Sequence, residues 1–200
     1  MNDFDIGAAG HQSNLIEAVL ARSVAANFAD AVEEWEVDGC VQLTTEPGGE
    51  PNVARCVCGH SPITTCFSIC NKINGEVLKP VGRVCIRRFG RPGLDAEARR
   101  AELVERVRFA SSASVAEPLP IRSGEIGGGG TAFSRAALGA LLERGYFDPR
   151  PDDGLPYVGA DGAHAEVLGF FNSRGEDPAA RFPLAHRIVE RRLRPNLLDH

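Results

Sequence analysis

Between Arg55 and Cys70 the chain reads RCVCGHSPITTCFSIC, and Cys85 follows in GRVCIRRF. Five cysteines and a histidine inside about thirty residues constrain this segment more than any other feature. They demand a disulfide framework, a redox centre or a metal site. A disulfide scaffold belongs to short secreted chains that cannot build a large core, and this chain has 200 residues. Its start, MNDFDIGAAGHQSN, is acidic where a secretion signal needs a basic region and an apolar run. No apolar stretch approaches the roughly 20 residues that span a bilayer. The expectation is therefore a cytoplasmic protein with reduced thiols and no membrane association, in which clustered cysteines serve as metal ligands or catalytic groups rather than bridges.

Zinc takes four soft or borderline ligands in a tetrahedron, and ligands close in sequence lower the entropy of assembling them. Cys56 and Cys58 form a tight CxC pair. ITTCFSIC and EVLKPVGRVCI flank NKING, which predicts a β-hairpin. On its first strand Cys66 and Cys70 point one way, Phe67 and Ile69 the other. If Asn71 faces Val77, regular pairing puts Cys85 on the wrong face from Cys66; a bulge at KPVG, where Gly82 tolerates unusual angles, corrects this. The expected ligand set is Cys56, Cys58, Cys66 and Cys85, with His60 and Cys70 as alternatives for the fourth place. Cys40, apart from the cluster, reads as a small buried apolar residue.

Around this hairpin the expected architecture is α+β. NLIEAVLARSVAANFADAVEEW has apolar residues at helical spacing, and Asn14 with Glu17 reads as a capping box. EVDGCVQLTT suggests a strand. GLDAEARRAELVERVRFA predicts a helix with Asp95 at its N-cap and Leu103, Val104 and Val107 on the packed side. SSASVAEPLPIRSGEIGGGGT has a linker composition; GEIGGGGT lacks the GK[ST] ending of a phosphate-binding loop. Three further helices are expected: FSRAALGALLERGYF, stopping at Gly145; AHAEVLGFFNSRG; and LAHRIVERRLRP, ending at Pro195. The organisation follows as a flexible N-terminus over 1–12, a helix plus zinc-binding hairpin domain over 13–110, a linker over 111–131 and a helical module over 132–200.

Charge is unevenly spread. Residues 1–50 hold ten acidic side chains and one basic, whereas 55–108 hold eleven basic and five acidic. That asymmetry suits a nucleic-acid surface made by Arg83, Arg87, Arg88, Arg91, Arg99, Arg100 and Arg106, with Phe89 as a stacking ring. An acidic helix packed beside a basic module explains it equally well.

The segment RCVCGHSPITTCFSICNKINGEVLKPVGRVCIRRFG resembles one found in a largely uncharacterised group of bacterial, plasmid and phage proteins. Their pattern is CxCG, a strand ending in Asn, a Gly turn, then VGxxC, a hydrophobic residue and Phe. Here it falls on Cys56, Cys58, Gly59, Phe67, Ile69, Asn71, Gly75, Val81, Gly82, Cys85, Ile86 and Phe89, and Cys66 matches the form whose strand carries a cysteine. The resemblance implies a zinc-binding module without an assigned activity. The position of Cys70 is usually polar or basic in such segments, which speaks against it as an essential ligand.

No enzymatic constellation stands out. There is no HExxH, and the HxE of His164 and Glu166 lacks a nearby PCxxC. Asp152 and Asp153 read as solvated turn residues. The leading expectation is a non-enzymatic structural-zinc protein that binds nucleic acid. Its rival is a protein-interaction adaptor of phage or plasmid origin acting on a host protein, with zinc purely structural.

Overall fold

The computed structural model describes residues 3–45, 48–112, 133–155, 158–173 and 182–199. The chain is α+β and divides into two compact units, Met1–Glu102 and Leu103–His200. No helix among the described residues is long and apolar enough to cross a membrane.

The first unit opens with α1, Asp3–Leu20, whose Leu15 and Val19 are fully buried. The helix therefore begins well upstream of Asn14, which is not its cap, and runs through most of the stretch expected to be flexible. It also stops early. Although apolar spacing continues to Trp35, Val24 is 62 % exposed, and a short α2, Phe28–Ala31, and a 3-10 turn, Val32–Glu34, follow. The reason lies in distant polar groups. The Glu34 carboxylate accepts the backbone N–H groups of Val24 and Ala25, at 2.8 and 2.6 Å, and the Asn71 amide at 2.6 Å. Asn71 also donates to Arg22 O. With those N–H groups claimed, the helical ladder cannot continue through Val24. Asn27 restarts the helix as N-cap, its side chain accepting from Asp30 N–H.

Three antiparallel strands follow in the order β1-β2-β3: β1 Trp35–Gln42, β2 Thr65–Asn71 and β3 Val77–Gly82. On β2, Phe67, Ile69 and Asn71 are buried while Cys66, Ser68 and Cys70 are half-buried, the alternation expected of a strand with one packed face. Cys70, not Asn71, faces Val77. The register then shifts between Ile69↔Leu78 and Phe67↔Val81, an extra residue on β3 inside KPVG where a bulge was expected, and this brings Gly82 opposite Cys66. The hairpin does not run on to Cys85. At Arg83 the chain turns into α3, Arg83–Arg88, so Cys85 sits in a helical first turn.

Next comes α4, Pro92–Ser112. Asp95 lies inside its first turn and is not its N-cap. Leu94, Ala98 and Ala101 join the core of the first unit, Val104 and Val107 that of the second. The division thus falls within α4, between Glu102 and Leu103, ahead of the 110/111 boundary expected from composition. The linker expected over 111–131 lies outside the described residues from 113 onward.

The second unit is helical. Ser134 caps α5, Arg135–Glu143, which ends at Gly145 with φ +76°, the left-handed stop expected there. After α6, Ala160–Asn172, comes α7, Pro183–Ile188, which passes through a π-helical turn, Val189–Leu193, into α8, Arg194–Asp199. Pro195 therefore does not end the helix. The wider turn immediately before it, with Arg194 N–H bonded to Val189 O, relieves the clash a proline ring makes with the carbonyl four residues back. Phe133, Leu138, Leu141, Phe147, Val167, Ile188, Leu193 and Leu197 form the core. Asp153 is buried, not solvated: its carboxylate meets the buried Arg192 guanidinium at 2.7 Å and accepts the N–H groups of Arg150 and Leu155.

Candidate metal centre

The CxC loop is built by short-range hydrogen bonds. Ala54 and Ile63 exchange backbone bonds at its base, Cys56 N–H donates to His60 O, and Gly59 N–H to Cys56 O. Gly59 has φ +88°, a conformation that favours glycine. Val57 N–H donates to Pro80 O, which docks the loop beside the β3 bulge. That docking brings Cys56 and Cys58 to the first turn of α3.

The sulfurs of Cys56, Cys58 and Cys85 all lie within 4.8 Å of one another, and all three residues are buried. Cys56 and Cys85 are 3.5 Å apart, and Gly82 N–H donates to Cys56 Sγ at 3.2 Å. In a tetrahedral zinc–thiolate site, bonds of about 2.3 Å place sulfurs about 3.8 Å apart, so these separations suit a shared metal ion. The electrostatics of the three thiols point the same way. The hydrogen bond with Cys85 draws Cys56 down to about 5 against the opposing effect of burial, with help from the Cys58 and Gly82 N–H groups. The same bond holds the proton on Cys85, whose value is pushed up. A cation bound here would take the place of that shared proton and let all three sulfurs act as thiolates.

Of the four expected ligands, three therefore converge. Cys66 is outside the group. It is half-buried on β2, where burial and then the nearby Cys56 charge push its thiol up. Its partner Gly82 faces the cluster: a Cβ there would lie 3.7 Å from Cys56 Sγ. His60 is exposed, and its ring meets His11 edge-on at 5.5 Å. Cys70 lies against its neighbour's carbonyl, Asn71 O, at 3.7 Å. Cys40 is half-buried rather than buried, packed against the first core.

No family model matches this chain, and no curated protein or solved structure matches it either.

The arginines expected to meet phosphate are largely engaged with carboxylates. Arg83 reaches Glu102 at 2.8 Å and Asp95 at 3.7 Å, and its guanidinium lies 5.8 Å from the Phe67 ring centre. Arg91 pairs with Glu97 at 3.2 Å and donates to Val32 O and Glu33 O. Arg87 and Arg99 both approach Asp95, at 3.9 and 2.8 Å. Arg88 is half-buried, Arg100 and Arg106 are exposed, and Arg106 belongs to the second unit. Phe89 is buried near Phe28 and offers no open stacking face.

Sequence reasoning missed two polar residues at the centre. His11 and Asn14 both approach Cys58 O. Their spacing of three is a helical-face signal, hidden because α1 was expected to start only at Asn14. On α6, His164 stands edge-on to Phe147 at 5.4 Å, a packing position rather than one beside a nucleophile.

Proposed function

We propose that this chain is a non-enzymatic structural-zinc protein in which one ion, held by Cys56, Cys58 and Cys85 with Cys66 as the fourth ligand, ties the CxC loop to α3 and the hairpin. The observation that carries this reading is the convergence of three buried thiols, the farthest in sequence, Cys56 and Cys85, being 29 residues apart. Zinc is favoured over harder cations because every donor in the group is sulfur. Cys66 is favoured for the fourth place because it shares a sheet face with Gly82, which borders Cys56 Sγ.

As to partners, the adaptor reading has the better support. A phosphate would have to displace Asp95, Glu97 or Glu102 from arginines already paired with them, and the acidic N-terminal segments pack in the same unit as the basic ones. The resemblance to bacterial, plasmid and phage proteins is consistent with a host protein as the partner. Elemental analysis of protein purified without added metal should find one zinc per chain; no stoichiometric metal would end the proposal. Binding to single- and double-stranded DNA and RNA at low salt should be weak or absent. Tight binding that weakens steeply with salt, and that is lost when Arg87, Arg88 and Arg100 are neutralised, would restore the nucleic-acid reading.

A further inference from the structure

Two side chains of α1 converge on a single carbonyl of the metal loop. His11 Nδ1 is 2.9 Å from Cys58 O, and Asn14 Nδ2 donates to the same oxygen at 3.1 Å. Three residues apart on a helix, they share a face. A carbonyl oxygen only accepts, so the imidazole proton is on Nδ1. Gly59, next in the chain, lies close beneath them: a Cβ there would sit 3.6 Å from Asn14 Nδ2 and 3.8 Å from His11 Nδ1.

The other peptides of the loop are anchored within the loop itself or by β3. Cys56 is held by His60 O and Gly59 N–H, and Val57 by Pro80 O. Cys58 carries the second thiol of a CxC pair, and its carbonyl is fixed from outside, by α1. Rotation of that peptide would swing the Cys58 sulfur away from Cys56 and Cys85, because only one residue separates the paired cysteines.

We infer that His11 and Asn14 are positioning residues of the metal centre, which orient the Cys58 thiolate by fixing its peptide and are not themselves ligands. This inference rests on the metal reading above. Outer contacts that orient ligands raise metal affinity by removing the cost of ordering them at the moment of binding. They also make α1 part of the site.

The test is chelator competition for zinc in the full chain, paired with the absorption spectrum of the cobalt-substituted protein. Asn14→Asp keeps the size and removes the donor; His11→Leu removes the ring donor; His11→Gln keeps one. The Asn14→Asp/His11→Leu double variant should bind zinc about tenfold or more weakly. Its cobalt thiolate charge-transfer intensity at saturation should equal that of the wild type, showing an unchanged number of sulfur ligands. His11→Gln alone should restore most of the affinity that His11→Leu loses, and Gln12→Ala, on the same helix, should change nothing. Equal affinity in the wild type and the double variant would overturn the inference while leaving the metal reading intact. So would a weakening that Gln12→Ala reproduces, one that His11→Gln fails to repair, or a fall in charge-transfer intensity. A wild-type chain that takes up neither zinc nor cobalt would overturn both readings together.

Discussion

In the first unit distant segments are joined by an apolar core around Trp35, Phe67 and Ile86 and, in addition, by thiols and a buried amide–carboxylate pair, whereas in the second they are joined by leucines, phenylalanines and one buried arginine–aspartate pair. The first gathers the long α1, the short α2 and α3, the start of α4, a loop and a three-stranded sheet, on whose outer strands Val37 N–H donates to Glu97 and Pro80 O accepts from Val57 N–H. The second packs helices whose apolar faces meet directly, each fully buried large side chain contributing about 2 kcal/mol. A metal held by Cys56, Cys58 and Cys85 would add a cross-link between the loop and α3 to the first, whereas the second holds no cysteine at all.

The largest effect should come from breaking that difference at the metal. Structural zinc contributes on the order of 10 kcal/mol to the folding of small modules, so chelation or Cys85→Ser should unfold the first unit selectively. Trp35, the only tryptophan, is fully buried there and reports on that unit alone. Its emission should shift to the red while most helical circular dichroism of the second unit persists. Unchanged Trp35 emission after complete metal removal would erase the contrast.

Next in size is the buried pair of the second unit. Arg192→Met leaves Asp153 uncompensated and removes donors to Phe147 O and Val158 O. The loss should be about 3 kcal/mol, measured as a lowered unfolding midpoint of the helical signal. Zinc content and the Trp35 transition should stay put. If the Trp35 transition moves by the same amount, the two units unfold as one.

Those two networks also explain what could be read from the chain and what could not. The α+β class, the strands, the bulge in KPVG and the stop at Gly145 follow from local spacing and turn chemistry, whereas Cys85 meets Cys56 and Cys58 from the first turn of α3 and not from the strand on which it was expected. The break of α1 after Leu20 does not, because it depends on Glu34 and Asn71 reaching back to Arg22, Val24 and Ala25. Asp153 looks like a turn residue until Arg192, 39 positions away, is placed beside it. Nor does local spacing show that Arg83, Arg87, Arg91 and Arg99 pair with Asp95, Glu97 and Glu102. In each case a polar partner distant in sequence or on another turn overrides the local pattern.

Acid should strain both units through their carboxylates. Burial works to raise Glu34, but bonds from Val24 N–H, the Asn71 amide and Ala25 N–H outweigh it and hold the group below its ordinary 4.5. For Asp153 burial is likewise outweighed, by Leu155 N–H, the Arg192 guanidinium and Arg150 N–H, and the group sits below 3.8. A depressed carboxylate contributes stability that is present above its unfolded value and lost as pH falls through the folded one. These contributions should therefore hold from neutrality down to the ordinary carboxylate values and fade below them. Glu34→Gln should flatten the acid limb of Trp35 unfolding, and Asp153→Asn that of the helical signal; a swap of these effects would sink the assignment of one network to each unit.

The smallest expected effects sharpen the comparison within β2 itself. Cys66 and Cys70 lie on one strand face, four residues apart, yet only Cys66 is opposite Gly82, beside the thiol cluster; Cys70 is opposite Val77. Cys66→Ser should therefore lower zinc affinity and change the cobalt spectrum. Cys70→Ser should leave both unaltered and cost within about 1 kcal/mol, the range of substitutions away from cavities and buried networks. Cys40→Ser, half-buried opposite Phe67, should fall in the same range with full metal content. Measuring zinc per chain across the three variants separates strand face from strand position. Equal retention in all three would remove Cys66 from the ligand set and leave three protein thiolates with a fourth ligand from elsewhere, whereas equal loss would mean that β2 as a whole, not one of its thiols, holds the centre together.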